Sequence, residues 1–335
     1  MTTRRSFMAR SMAVAAIAAA ASLGLSACGS GSTPAASEGG VTKLKVAVAP
    51  IQFETAYLAQ DKGYFKDAGL EVEIVNGADP AALLAQVVSG DVNIAIGSWI
   101  NVATSVAQGV PVQVIGGNGM VDPEADNSGV LVPKDSGITE LKQLEGKTIG
   151  VVGVKSGGDI PVLQALEAAG VDVDSVKEVA IPYSGMEAAL EQKTVDAVVP
   201  ADSFYHQMQD KGYVSISSPV KEFQASMPVT VWTSQKAWLA QNGATAEKFI
   251  GAMEKAVADY NDPKNLEEVR AVYAKVNQAD IAKAPKTFVP ADVTFNVAEG
   301  QAGIDAMEHF GLLKKSIEVD EVLWDKAPRR EAAGK

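Results

Sequence analysis

Residues 44–75 read LKVAVAPIQFETAYLAQDKGYFKDAGLEVEIV, and their pattern decides the fold. Leu44, Val46 and Val48 alternate with polar or small residues, as a partly buried strand requires. Pro50 breaks the alternation. Thr55 has the chemistry of an N-cap for a helix from Ala56 to Asp67. Gly69 can take the positive φ that ends such a helix, and Val72, Ile74 and Val75 begin a second strand. Together these pieces make one βαβ unit, with parallel strands and a right-handed crossover expected. Ligands of open α/β sheets sit beyond the carboxyl ends of the strands. Gln52, Phe53 and Glu54 are thereby expected over a binding cleft.

Working outward, the same plan repeats. Asn76 to Pro80 is a loop, Ala81 to Ser89 a helix, and Gly90-Asp91 a turn into the strand Val92–Ile96. Ser98 and Trp99 stand at that strand's carboxyl end, followed by a helix from Asn101 to Gln108 and a strand from Val112 to Ile115. The second half runs strand 148–152, loop 155–159, helix 160–169, strand 176–181, loop 183–185, helix 186–192 and strand 195–199. Aligning Val92–Ile94 with Val195–Ala197 sets Trp99 against Asp202. Two similar α/β lobes follow, each a mostly parallel sheet flanked by helices. Apolar stretches Val130–Pro133 and Met227–Trp232 are the expected crossings of a two-strand hinge. They divide the chain into lobe 1 at 42–130 and 230–328 and lobe 2 at 131–229, with a polar tail at 329–335. Helices are expected at 246–260, 265–277 and 298–310, packed on lobe 1.

The opening stretch resembles the solute-binding proteins of ABC importers for sulfonates, nitrate, taurine and thiamine-pyrimidine precursors. Ala59, Gly63, Phe65, Gly69, Leu70 and Val72 match their pattern A-x-x-x-G-x-F-x-x-x-G-L-x-V. Two further landmarks are Gly90-Asp91-Val92-Asn93 and the run Leu141, Gly146, Lys147, Thr148, Ile149. The resemblance implies a type II-like periplasmic-binding-protein fold, a small-molecule ligand gripped between two lobes, a membrane permease as partner and a monomeric chain; a ligand sensor without transport is the alternative reading.

Near the start, Arg4-Arg5 precede an Ala-rich apolar run from Met12 to Gly24, too short to span a bilayer comfortably. It reads as a twin-arginine export signal over 1–27. Leu25-Ser26-Ala27-Cys28 resembles a bacterial lipobox, which implies a diacylated Cys28 after cleavage. Ordinary cleavage with a free thiol is the other reading. Gly29 to Gly40 is a flexible tether of roughly 20 Å root-mean-square span, the whole linker being 28–41. The protein is thus expected on the outer face of a cell membrane, touching lipid only through Cys28.

Bulk chemistry narrows the class. At 335 residues the chain can bury two cores. Net charge is −12, about −15 without the signal's arginines, which disfavours nucleic acid. Cys28 is the one cysteine and the histidines, His206 and His309, are far apart, so no disulfide, metal or other cofactor is expected.

Candidate ligand-binding residues are Gln52, Phe53, Glu54, Asp79, Ser98, Trp99, Lys155, Ser156, Gly157, Tyr183 and Asp202. The glycine-rich loop at 156–158 could hold a polar ligand group on bare amides or be a simple turn. Asp202 could accept from a ligand, cap the helix that follows it, or both. Phe53, Trp99 and Tyr183 could sandwich a flat ligand, whereas Trp232 is better read as core. Asp202, Ser203 and His206 lie within about one helical turn and do not make a catalytic triad. Gly146-Lys147-Thr148 precedes a strand instead of following one, so it is not a P-loop. Beyond the signal only Arg270, Arg329 and Arg330 remain, outside the expected cleft, so a bidentate clamp for sulfonate or carboxylate is missing. Acidic Glu54, Asp79, Asp159 and Asp202 suit a ligand with N–H donors or positive charge. Eukaryotic pyrimidine synthases resemble this family too, but rely on a histidine and a cysteine cluster that is absent here. No catalytic residue and no enzymatic activity are therefore expected.

Overall fold

The computed structural model describes residues 41–49, 52–77, 80–154 and 158–330. In chain order its elements are β1 (Thr42–Val48), α1 (Glu54–Asp61), α2 (Tyr64–Asp67), β2 (Leu70–Asn76), α3 (Pro80–Ser89), β3 (Ile94–Ser98), α4 (Trp99–Ala107) and β4 (Val112–Met120). Next come β5 (Val130–Val132), β6 (Thr148–Val151), α5 (Ile160–Ala168), β7 (Lys177–Ala180), α6 (Tyr183–Glu191), β8 (Ala197–Val198), α7 (Asp202–Asp210), β9 (Val214–Ser217) and α8 (Pro219–Phe223). The chain finishes with β10 (Pro228–Gln235), α9 (Lys236–Asn261), α10 (Leu266–Asn277), β11 (Phe295–Asn296), α11 (Val297–His309), α12 (Val319–Val322) and β12 (Arg329–Arg330).

Two mixed five-stranded sheets carry the architecture, ordered β2-β1-β3-β10-β4 and β7-β6-β8-β5-β9. In each, the fourth strand alone runs against the other four. A two-lobed α/β plan is therefore present. Val130–Val132 is a strand of the second sheet, and Pro228–Gln235 a strand of the first. The chain leaves the first sheet after Met120, enters the second at Val130, leaves it after Ser217 and returns at Pro228. Midway, the two crossings are tied together by Val121 N–H to Met227 O at 2.9 Å and Ser226 N–H to Val121 O at 3.1 Å.

Register shows which edges face each other. Thr230 lies opposite Ser98 and Pro228 opposite Met120, so both crossings attach at the carboxyl ends of β1 and β3. Ser128 bridges Ala201, and Val130 pairs with Ser217, so they also attach at the carboxyl ends of β6 and β8. The carboxyl edges of the two sheets are joined by a pair of short crossings, which is where ligands sit in open α/β sheets.

Locally the sequence is followed with instructive departures. The single helix expected over Ala56–Asp67 is two: Gly63 takes φ 78° and separates α1 from α2, and Gly69 at φ 73° ends α2. Thr55 does not cap α1, because the helix starts one residue earlier, at Glu54, with Phe53 at the N-cap; its hydroxyl donates to Asn118 instead. The helix expected from Ala246 begins ten residues earlier, at Lys236. Asn242 leaves helical geometry there, at φ −127° and ψ 23°, and donates to Trp238 O at 3.0 Å, so the Asn-Gly pair kinks the helix without ending it. Arg329 and Arg330, expected in a polar tail, pair with Phe295 and Asn296 as a small parallel ribbon. Among the described residues no helix is long and apolar enough to cross a membrane.

Candidate functional site

The first wall of the interlobe edge is built on the loop after β1. Gln52 adopts φ 50°, a left-handed conformation costly for a side-chain-bearing residue. It is held from both sides by β4 and β10. Asn118 Nδ2 donates to the Gln52 backbone oxygen at 2.9 Å and to Thr230 Oγ1 at 3.1 Å, and Asn118 Oδ1 accepts from Thr55 Oγ1 at 2.8 Å. Thr230 Oγ1 also accepts from Gly119 N–H at 3.0 Å and donates to Gln52 Oε1. A Cβ on Gly119 would overlap the Gln52 carboxamide where it now lies, so the carboxamide's present position depends on glycine there. Buried Asn118, Thr230 and Thr55 are thus satisfied by one another, as a low-dielectric interior demands.

Glu54 follows immediately and is 4 % exposed. Its Oε2 has no hydrogen-bond partner. Burial outweighs a bond from its own backbone N–H and pushes its carboxyl up to about 7. The same burial raises Tyr260, with the Glu54 charge adding to the effect.

The described residues of the second wall include an apolar group. Val152 and Val154, just past β6, are 44 % and 43 % exposed, and Phe204, near the start of α7, is 36 % exposed. Tyr183 opens α6 with its ring tilted against Phe204, centroids 6.1 Å apart. All four stand beyond the carboxyl ends of β6, β7 and β8. The lobes also touch away from the crossings. Ile160, at the start of α5, is 1 % exposed within the first lobe's core. Farther along α5, Glu167 meets His309 Nε2 of α11 at 2.9 Å.

Of the residues singled out from sequence, Gln52, Ser98 and Tyr183 are half-buried at the facing edges. Phe53 and Trp99 are corrections: both are core residues. Phe53 stacks on Tyr273 of α10 and meets Tyr57 edge-on, each pair of centroids 6.1 Å apart. Trp99 is sealed edge-on against Phe295 at 4.7 Å and over Gly300 and Gly303, with its indole N–H unpaired. Glu54 is also inside rather than over the edge. Cys28, Asp79, Lys155, Ser156 and Gly157 lie outside the described residues, as does the side chain of Asp202. His206 is an exposed residue on the same helix as Asp202. Among the described residues each arginine is paired: Arg270 with Glu267 and with Pro285 and Ile281 oxygens, Arg329 with Asp320, and Arg330 with Asp292. Among the described residues no group of His, Cys, Asp and Glu is placed to hold a metal. Sequence reasoning missed Asn118, Thr230, Val152, Val154 and Phe204. An asparagine inside Gly116-Gly117-Asn118-Gly119 was the one local signal, since glycines flanking a polar strand residue mark a close backbone approach.

Comparison with known proteins places this geometry. The chain is 30 % identical over 216 residues to the 4-amino-5-hydroxymethyl-2-methylpyrimidine phosphate synthase of Aspergillus parasiticus, covering 61 % of each chain. That relative carries an enzyme's name, which stands against the expectation of no enzymatic activity. The fold is shared with the periplasmic aliphatic sulphonate binding protein SsuA from Escherichia coli, at 18 % identity and TM-score 0.67 over 88 % of this chain and 94 % of that one. It is shared as well with the periplasmic nitrate-binding protein NrtA from Synechocystis PCC 6803, at 15 % identity and TM-score 0.59 over 87 % and 86 %. This is a periplasmic-binding-protein fold. The family model described as NMT1/THI5 like matches residues 51–265, and the chain belongs to that family.

Proposed function

We propose that this chain is the solute-binding subunit of an ABC importer, which closes two lobes on a small organic solute and passes it to a membrane permease. The observation that carries the reading is the pair of crossings at the carboxyl edges of both sheets, the arrangement that lets two lobes hinge about one ligand. Closure is driven by the ligand's tighter hold on the closed state. Export by the leader at 1–27, a lipid anchor on Cys28 and a monomeric body belong to the same proposal, supported by the sequence patterns and by the fold shared with periplasmic proteins. Lobe limits at 42–130 with 230–328 and at 131–229 are part of it, as are ligand contacts by Gln52, Ser98 and Tyr183 and by Asp79, Lys155, Ser156, Gly157 and Asp202.

Sulfonate, nitrate and taurine form one ligand group and thiamine-pyrimidine precursors the other. An apolar group of Val152, Val154, Tyr183 and Phe204, with every described arginine held in an ion pair, favours a flat nitrogen heterocycle over a bare oxyanion. A second reading, pyrimidine phosphate synthesis, is favoured by the name of the Aspergillus parasiticus relative. A thermal-shift screen over both ligand groups, paired with an assay for 4-amino-5-hydroxymethyl-2-methylpyrimidine phosphate formation, separates the readings. At a hundredfold excess over its dissociation constant a ligand should add about 2.7 kcal/mol. Product formation without a stable ligand complex would favour the synthase.

A further inference from the structure

The hydrogen bonds around Thr230 fix which way the Gln52 carboxamide faces. A backbone oxygen can only accept, so the Asn118 atom 2.9 Å from Gln52 O is the side-chain nitrogen. Asn118 Oδ1 is then free to accept from Thr55, and its second N–H goes to Thr230 Oγ1. Gly119 N–H goes to the same hydroxyl oxygen. Two donors fill both lone pairs of Thr230 Oγ1, which leaves only its proton to offer. The Gln52 atom that meets it has to be the acceptor, Oε1. Turned round, the carboxamide would press N–H against an oxygen with no lone pair left and orphan a buried hydroxyl proton. Gln52 Nε2 therefore points away from the network, and it has no hydrogen-bond partner among the described residues. The residue is half-buried, at the facing edge, on a backbone at φ 50° that the same network holds.

We infer that Gln52 Nε2 is a preset hydrogen-bond donor that selects ligands bearing a proton-free acceptor at this position, with Thr230, Asn118 and Thr55 as its positioning residues. Such acceptors are a sulfonyl, nitro or carbonyl oxygen or an unprotonated ring nitrogen. A ligand presenting an ammonium or N–H here meets donor against donor. This inference rests on the solute-binding reading and sharpens it, since the donor is neutral and selects by hydrogen-bond polarity and not by charge.

Calorimetric titration with nitrate, methanesulfonate and 4-amino-5-hydroxymethyl-2-methylpyrimidine tests it. For whichever probe binds, Gln52→Glu, which replaces the donor by a carboxylate, should weaken association tenfold or more. Thr230→Val should weaken it by about threefold to tenfold by freeing the carboxamide to turn, and Thr230→Ser should restore it. Unchanged or tighter binding by Gln52→Glu, or no rescue by serine, overturns the inference. Should none of the three probes bind the wild type, the solute-binding reading loses its support, and the orientation is still decided by nitrogen-resolved NMR of the free protein. There the Gln52 side-chain amide protons should exchange with water; protons shielded from water overturn the inference.

Discussion

The βα turn after β1 and its counterpart after β6 occupy the same place in two similar sheets, yet their described residues differ in chemistry. After β1, a polar loop is locked by buried hydroxyl and carboxamide groups, and the aromatic residues nearby, Phe53 and Trp99, are sealed in the core. After β6, valines stand exposed, an aromatic pair lies open beyond the neighbouring strands, and the following helix sends Ile160 into the other lobe's core. Among the described residues, one edge thus carries fixed hydrogen-bond polarity and the other carries apolar surface and a contact with the first lobe's core. On the proposed function, a ligand with one acceptor atom and a flat apolar body would meet both.

The sharpest way to break this contrast is to truncate the matched aromatics. Trp99→Ala empties a fully buried site and should cost about 3–5 kcal/mol in urea unfolding. Phe204→Ala should change stability by less than about 1 kcal/mol while weakening ligand binding. Comparable stability losses would mean that the two edges are not differently built.

Next in size is the buried carboxyl beside the polar loop. Glu54 is raised from 4.5 to about 7 by burial, so between those values the folded chain holds a proton that the unfolded chain has lost. Its penalty is absent below about pH 4.5, grows as pH rises and is complete above about pH 7, where it amounts to about 3 kcal/mol. Glu54→Gln should flatten that part of the stability–pH curve. A wild-type curve that rises between pH 5 and 7, with no difference in the glutamine variant, would show Glu54 to be solvated.

Thr230→Val should cost about 1–3 kcal/mol in the same unfolding measurement, because Asn118 and Gly119 lose a buried acceptor. Smallest is the rim contact. His309 and Glu167 are more than half exposed, and exposed ion pairs contribute about 0–1 kcal/mol. His309→Ala should therefore leave stability almost unchanged, whereas Ile160→Ala, a deletion within the core, should cost about 2–5 kcal/mol.

Much of the framework was legible because it rests on short-range pattern. Alternation in Leu44–Val48, the stop at Gly69 and the repeated strand–helix order specify parallel strands, and β1 pairs with β2 in parallel from Thr42 to Val48. Side-chain fate was less legible. Thr55 has the chemistry of a cap, but α1 begins at Glu54 and places it inside the helix, where its hydroxyl reaches a partner 63 residues away. Trp99 falls at a strand's carboxyl end, where cleft aromatics belong, but α11 brings Gly300 and Gly303 over it from 200 residues on. Phe204 looks like any apolar helix residue until α7 is placed at the edge of its sheet. The misses at Trp99 and Phe204 depend on long-range contacts, which periodicity does not carry.

Native mass spectrometry of the chain titrated with nitrate, methanesulfonate, taurine and 4-amino-5-hydroxymethyl-2-methylpyrimidine tests the central claim, that two facing edges hold one small solute. A one-to-one adduct with at least one of them, lost on denaturation and weakened by Gln52→Glu, is the predicted result. No adduct with any of them at millimolar concentration would contradict it.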